Sequence, residues 1–139
     1  MKYATNSLPS DAVIDAPDWE SFVKDIAASI CAKQSPDVLL QVRGNLYELL
    51  TNCIPPELIF RRLVIELLKK IDDSLKADVL HWAAFYEHRS HLGSKPMCAK
   101  SMCRKHRSCY SDIFYRFHME AFVARFMALY KQFMVSMLM

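Results

Sequence analysis

The sequence predicts an all-α protein, a single five-helix bundle, and three observations support this. Only two glycines occur in 139 residues, whereas average usage would give about ten. Tight turns favour glycine, and a sheet protein of this size needs many of them. Apolar residues recur at helical spacing between the prolines, and an apolar content of 53% is ample for a buried core. A β-sandwich, a Rossmann unit and a Gly-rich phosphate loop are therefore disfavoured.

Prolines and capping residues divide the first half of the chain. Residues 1–17 are polar and are predicted to form an extended leader. A first helix is expected over 18–33, with Asp18 as its cap. Ser35 and Pro36 then form a start signal, with serine as cap and proline at the first helical position. Gly44 lies inside this second helix at a cost of about 1 kcal/mol relative to alanine, and we expect another backbone to approach it closely.

Three further helices complete the predicted bundle. The third is expected over 57–71, the fourth over 75–92 and the fifth from about Ile113 or Phe117 towards Met139. The connection over 94–112 is polar and is predicted to be a long irregular loop, which is uncommon in a compact domain. We therefore assign residues 18–139 to one helical domain with a basic, Cys-rich insertion at about 96–116.

The insertion contains a set of potential zinc ligands. Their spacing is C-x4-C-x2-H-x2-C, and the residues are Cys98, Cys103, His106 and Cys109. Three thiolates and one imidazole suit tetrahedral zinc, although this order is not a standard one. A reduced, Cys-rich loop without metal is the favoured alternative, because the span contains no glycine to ease the tight turns. The odd number of cysteines and the absence of a secretory signal favour the cytosol or nucleus.

The same insertion concentrates the positive charge of the chain. Residues 95–116 have a net charge of +5, whereas the remaining residues sum to −2. A cluster of this kind can bind the phosphates of nucleic acid without reading bases. The candidate residues are Lys100, Arg104, Lys105 and Arg107. A solvated loop is the favoured alternative.

Two predicted helices have more apolar surface than one contact with the bundle requires. Trp82 and Tyr86 share one face of the fourth helix, whereas His81 and Phe85 share another. The last helix likewise has apolar residues on more than one stripe. A second apolar face indicates a partner beyond the bundle. The chain has no GxxxxGK[ST], GxGxxG, HExxH or GxSxG motif, so an enzyme is the least favoured class.

Several segments resemble a known family. They are VRGNLYELL over 42–50 followed by CIPPE over 53–57, HWAAFYEHR over 81–89 followed by LGSK, and FHMEAFVARFM over 117–127. Together with Asp18-Trp19-Glu20, they resemble the C-terminal domain of replication factor C subunit 3, a family of small subunits of the eukaryotic sliding-clamp loader. The resemblance covers about 18–133, and the plant members look most similar. The insertion at 96–116 has no counterpart in the family.

The resemblance implies a role in assembly. In this family, five related subunits form a ring that places a sliding clamp on primer–template DNA, and their C-terminal helical domains form a collar. The implied partners are the other subunits of a hetero-pentamer in the nucleus, with clamp and DNA contacted through the whole complex and no membrane. The family's ATPase modules have no counterpart here, so we expect no enzymatic activity and no cofactor. The expected subunit-interface residues are Phe85, Tyr86, Arg89, Phe122, Phe126 and Tyr130.

Overall fold

Five helices form the described part of the chain, and this confirms the all-α prediction. The computed structural model describes residues 17–92 and 107–138, with side chains for 17–92 and 115–138. The helices are α1 (Asp18–Ala32), α2 (Pro36–Thr51), α3 (Pro56–Leu68), α4 (Asp73–Leu92) and α5 (Arg107–Leu138). Residues 1–16 of the predicted leader, Gly93, and residues 94–106 of the predicted loop lie outside the described residues.

The starts of the first two helices differ in how they are capped. Ser35 caps α2 as expected, because its side chain accepts a hydrogen bond from the Val38 amide at 3.4 Å and Pro36 begins the helix. The prediction that Asp18 caps α1 is wrong: Pro17 is the cap residue, and Asp18 is the first helical residue. Asp18 and Glu20 instead place negative charge in the first turn, where the helix dipole favours it.

The last helix begins earlier than the sequence predicted. Helix α5 starts at Arg107, so the prediction of an irregular loop is wrong for residues 107–112. The polar composition of this stretch suggested a loop, but residues 107–138 contain neither glycine nor proline. Polar residues are compatible with a helix, whereas proline and glycine are the residues that interrupt one.

Helix α5 is the centre of the bundle. It contacts α1, α2, α3 and α4, and α1 packs chiefly on α3. The largest fully buried side chains come from all five helices: Ile26, Ile30, Leu46, Ile59, Leu63, Leu67, Val79, Met119, Phe122 and Phe126. Full burial of a large apolar side chain stabilises a fold by about 1.5–3 kcal/mol, so this layer is the main stabilising feature.

Buried carboxylates join the helices around this core. Glu66 of α3 is 4% exposed; it accepts a hydrogen bond from Lys69 Nζ at 2.8 Å, and its Oε1 lies 3.4 Å from Arg62 Nε. Arg62 in turn reaches Glu20 of α1 at 2.8 Å. The hydrogen bond from Lys69 lowers the pKa of Glu66 below its ordinary value, with Arg62 contributing in the same direction. A charged Glu66 therefore helps to fix α3 against α1.

Gly44 does not lie at a contact between helices of this chain. It is exposed on α2, and a Cβ added there would meet no atom of the described residues within 4 Å. The prediction that another backbone of the bundle approaches it is therefore wrong, because the glycine lies on the side of α2 opposite the buried Val42, Leu46 and Leu49.

Candidate subunit interface

The outer face of α4 exposes a large aromatic side chain. Phe85 is 39% exposed, whereas Ala83 of the same helix faces the core and is 6% exposed. Leu80 and Leu92 are also exposed on α4, at 50% and 56%. The expectation of two apolar faces on this helix thus agrees with the structure. We call the surface formed by His81, Phe85, Arg89 and Leu92, which share one side of the helix by spacing, the outer α4 face.

A series of aromatic contacts fixes Phe85 in place. Its ring makes edge-to-face contacts with Trp82 and Tyr86, at centroid distances of 5.6 and 5.4 Å. Tyr86 contacts the buried Phe122 at 6.4 Å, and Phe122 contacts Phe60 of α3 at 5.1 Å. Edge-to-face pairs of this kind contribute about 0.5–1.5 kcal/mol each. Phe85 is therefore an exposed ring held by contacts that continue into the core.

Cationic groups cover two of these rings. The Arg89 guanidinium lies 5.5 Å from the Phe85 centroid, and the Arg125 guanidinium of α5 lies 4.3 Å from the Trp82 centroid. Nearby, burial lowers the pKa of His118, and the positive charge of Arg89 adds to the shift. The outer α4 face thus combines aromatic surface with fixed positive charge. Aromatic and arginine side chains are enriched at the centres of protein interfaces.

The remaining predicted interface residues fall into two groups. Tyr86 and Tyr130 are partly buried against the core, and Tyr130 stacks on Phe126 at 5.9 Å. Phe122 and Phe126 are each 1% exposed and belong to the core. The prediction that these two rings contact a partner directly is therefore wrong, because the bundle itself covers them.

The end of α5 adds a second stretch of exposed apolar surface. Residues 134–138 are all exposed, and four of them are apolar: Met134, Val135, Met137 and Leu138, with exposures between 45% and 84%. An apolar patch that its own domain does not cover is typical of an interaction site.

The predicted zinc set lies largely beyond the described residues. Cys98, Cys103 and His106 fall outside them, and Cys109 lies in the first turn of α5, where side chains are not described. Of the predicted phosphate-binding residues, Lys100, Arg104 and Lys105 also fall outside, and Arg107 is the first residue of α5. Both hypotheses remain predictions from the sequence.

Glu87 and His91 share a face of α4 by spacing, but the structure gives them different partners. Glu87 accepts a hydrogen bond from Arg61 at 3.1 Å. His91 Nε2 lies 3.1 Å from the Tyr115 hydroxyl, which also donates to Glu57 at 3.3 Å. Burial raises the pKa of Tyr115. These contacts join α3, α4 and α5, so this end of the bundle has a structural function.

Sequence reasoning missed two features that link separate helices. The Arg125–Trp82 contact joins α5 to α4, and the ion pair between Arg43 Nε and Glu120 Oε2, at 3.0 Å, joins α2 to α5. Helical spacing identifies neighbours within one helix, but contacts between helices depend on how the helices pack. The sequence contained no signal for either pair.

The fold and this surface define the class of the protein. It is a small all-α bundle domain with an exposed aromatic and cationic helix face. A family described as "Replication factor C subunit 3, C-terminal domain" matches residues 19–109, which is more than half of the chain. The chain therefore belongs to this family.

Similar proteins from distant organisms agree with this assignment. Replication factor C subunit 3 of Arabidopsis thaliana is 50% identical over 124 residues, covering 89% of this chain and 30% of the relative. The Homo sapiens protein of the same name is 46% identical over 125 residues, covering 90% and 30%. Replication factor C subunit 5 of Schizosaccharomyces pombe is 35% identical over 130 residues, covering 94% and 31%. The chain thus spans about a third of the length of these relatives.

The helices also differ from membrane-spanning segments. Within the described ranges, none combines the length and the apolar composition required to cross a bilayer.

Proposed function

We propose that this chain is an assembly domain of a DNA-replication clamp loader. In this proposal it holds replication factor C subunits together through its helical surface, in a complex that places the sliding clamp on primer–template DNA. Membership of the replication factor C subunit 3 C-terminal family supports the role in such a complex. The observation that points most directly to assembly is the exposure of Phe85 on a face held rigid from beneath.

A pre-positioned aromatic ring suits this role for a physical reason. Binding costs free energy because flexible side chains are immobilised, by about 0.5–1.5 kcal/mol for each mobile side chain. Phe85 already contacts Trp82 and Tyr86, so its ring loses little freedom when a partner covers it. Arg89 on the same face offers a charge-assisted contact at the edge of such an interface.

The proposal assigns the chain to a nuclear hetero-pentamer, and the chain itself performs no catalysis and needs no cofactor. Its direct partners are other clamp-loader subunits, whereas clamp and DNA are contacted through the whole complex. The description of the matched family as a C-terminal domain supports this division of roles, because the relatives are about three times longer than the region matched.

Co-expression with the other replication factor C small subunits tests the proposal. We expect the tagged chain to capture at least one subunit, and Phe85→Glu to abolish that capture, because the variant removes the exposed ring and would bury a carboxylate, even one paired with Arg89, in the interface. Ile65→Glu is the matched control, since Ile65 is 46% exposed on α3, one turn from Arg61, which pairs with Glu87 on the side of α4 away from Phe85. A clean monomer that captures no subunit would contradict the proposed function, as would equal loss of capture in both variants.

The concentration of charge favours a second candidate function, nucleic-acid binding through residues 95–116 at +5. Binding of this kind weakens steeply with salt because counterions are released from the phosphates. Deleting residues 97–110 should therefore remove a salt-sensitive affinity for single-stranded DNA, and unchanged affinity would exclude this function. If the same segment holds a zinc site, the purified protein should contain stoichiometric zinc, and Cys103→Ser should lose it.

A further inference from the structure

The connection between α1 and α2 presents a serine that is followed by a proline. Ser35 and Pro36 form the only such pair of serine or threonine with proline, although the sequence contains six prolines. The backbone is extended here, with φ and ψ of −132° and 156° at Ser35 and of −148° and 123° at Lys33. Proline favours this conformation in the residue before it. An extended acceptor serine with proline next in the chain is what proline-directed protein kinases select.

The hydroxyl of Ser35 makes a weak contact within the fold. The Val38 amide donates to Ser35 Oγ at 3.4 Å, which is longer than the usual range of about 2.7–3.2 Å. The Ser29 hydroxyl, by contrast, donates to the Ile26 carbonyl at 2.7 Å within α1. Ser35 is partly exposed and Pro36 is exposed. A second protein can therefore reach this acceptor hydroxyl.

The end of α1 holds this connection in place. The Gln34 side chain donates from Nε2 to the carbonyl oxygens of Ile30 and Cys31, at 3.0 and 2.9 Å. These bonds satisfy carbonyls that the end of a helix leaves without helical partners. The residue before Ser35 is thus anchored to α1, and the extended shape at Ser35 is part of the fold.

Helix α5 supplies a cation beside Ser35. Ser35, Pro36 and Lys131 line one depression of about 200 Å³ between α2 and α5, together with Leu39 and Met127. A phosphate on serine has a charge of about −1.5 to −2 at neutral pH. At this position it would meet both the positive end of the α2 dipole and the ammonium group of Lys131.

The other charges near Ser35 largely offset one another. Asp37 in the first turn of α2 is exposed and would repel a phosphate. Lys33 is exposed on the connection, and the start of a helix has a partial charge of about +0.5. Lys131 is therefore the group that decides whether a phosphate on Ser35 stabilises the bundle.

We propose that Ser35 is a phosphorylation site for a proline-directed serine/threonine protein kinase, and that its phosphate pairs with Lys131 and fastens the start of α2 to α5. ATP is the phosphoryl donor. Ser35 Oγ forms the new bond to the γ-phosphorus, the bond from that phosphorus to the β–γ bridging oxygen breaks, and ADP leaves with the electron pair. The serine proton passes to a carboxylate of the kinase. This inference concerns the chain alone and does not depend on the proposed function.

Treatment of the purified full chain with a cyclin-dependent kinase and ATP tests the site. Intact mass should show one phosphoryl group on the wild type and none on Ser35→Ala. Pro36→Ala keeps the hydroxyl but should lower the rate of incorporation at least ten-fold. Ser29→Ala is the matched control and should be phosphorylated like the wild type, because no proline follows Ser29.

Melting of the phosphorylated chain at pH 7.5 tests the pairing with Lys131. Phosphorylation should raise the melting temperature by about 3 °C. Lys131→Met should still accept the phosphate, but its melting temperature should not rise.

Each other outcome contradicts a stated part of the inference. No incorporation into the wild type, or equal incorporation into Ser35→Ala, would exclude the site. An unchanged rate for Pro36→Ala would exclude a proline-directed kinase. A phosphorylated chain that melts no higher than the unmodified one, or an equal rise in Lys131→Met, would exclude the pairing with Lys131. Failure of subunit capture would leave all of these results as they are.

Discussion

The inner and outer faces of α4 differ in what they contribute to the protein. On the inner face, Val79 and Ala83 are 2% and 6% exposed and pack in the core. On the outer face, Phe85 is 39% exposed, and its ring contacts Trp82, Tyr86 and Arg89. Burial therefore separates residues that stabilise the fold from residues available to a partner.

This difference teaches that a list of aromatic residues is not a list of interface residues. Phe122 and Phe85 belong to the same series of ring contacts, through Tyr86, yet they lie at its buried and exposed ends. Variants at the buried end should change the free energy of unfolding. Variants at the exposed end should change binding.

Truncation of the buried end should produce the largest effect. Phe122→Ala should lower the free energy of unfolding by about 3–5 kcal/mol, because it removes a fully buried ring and leaves a cavity. Urea denaturation measures the change. The control is Phe117→Ala on the same helix, which should cost less than about 1 kcal/mol because Phe117 is 54% exposed. Similar losses in the two variants would remove the distinction between the faces.

Neutralising the buried carboxylate of α3 should have the next largest effect. Glu66→Gln should cost about 1–3 kcal/mol near neutral pH, because Lys69 and Arg62 lose their charged partner. Glu87→Gln is the control; its more exposed pair with Arg61 should be worth less than about 1 kcal/mol.

The stabilisation from Glu66 should also depend on pH. Its pKa is lower in the folded state, so the contribution is full above the unfolded value of about 4.3 and is lost as the pH falls through the folded value. The difference in the free energy of unfolding between the wild type and Glu66→Gln should therefore become smaller at acidic pH. A difference that stays constant down to pH 2 would contradict this cause.

Replacing the exposed glycine should have a smaller effect of opposite sign. Gly44→Ala should raise the free energy of unfolding by about 0.5–1 kcal/mol, because alanine is the better helix former and no part of the chain that the structure describes lies within 4 Å of its Cβ. Thermal unfolding of the isolated chain checks this. A loss of stability would show that Gly44 serves the bundle itself.

The smallest effect concerns His118 beneath the outer α4 face. Its pKa is lowered by burial and by Arg89, so the unfolded chain takes up a proton first as the pH falls through about 6.5. Stability present above that pH should therefore decline with acidification until the folded form also titrates. His118→Gln should reduce the change of the melting temperature between pH 7.5 and 5.5. An unchanged slope would contradict this assignment, and His88→Gln controls for loss of an imidazole.

Helix content was predictable because its signals are local. The rarity of glycine, the Ser35–Pro36 start and the apolar spacing all act over a few residues, and the predicted α2 start is confirmed. The start of α5 was predicted too late, because the polar composition after Lys105 suggested a loop although the stretch contains no helix breaker. The Asp18 cap failed for a related reason: a capping residue indicates a helix start only to within a residue.

The candidate site was less predictable because it depends on tertiary packing. The sequence placed Phe85 on a second face of its helix, which agrees with the structure. It could not distinguish Phe122 and Phe126 from surface residues, because both faces of α5 are apolar and only packing decides which is covered. The sequence also predicted that Gly44 contacts another backbone of the bundle, whereas a Cβ placed at this position meets no described atom within 4 Å.

The most direct test of the central claim combines two measurements on one variant. Phe85→Ala should lower the affinity for the captured replication factor C subunit at least ten-fold, as for a residue at the centre of an interface. The free energy of unfolding should fall by less than about 2 kcal/mol, because the ring is partly exposed and loses only its contacts with neighbouring rings. Unchanged affinity, or a loss of stability equal to that of Phe122→Ala, would contradict the assignment of the outer α4 face to subunit assembly.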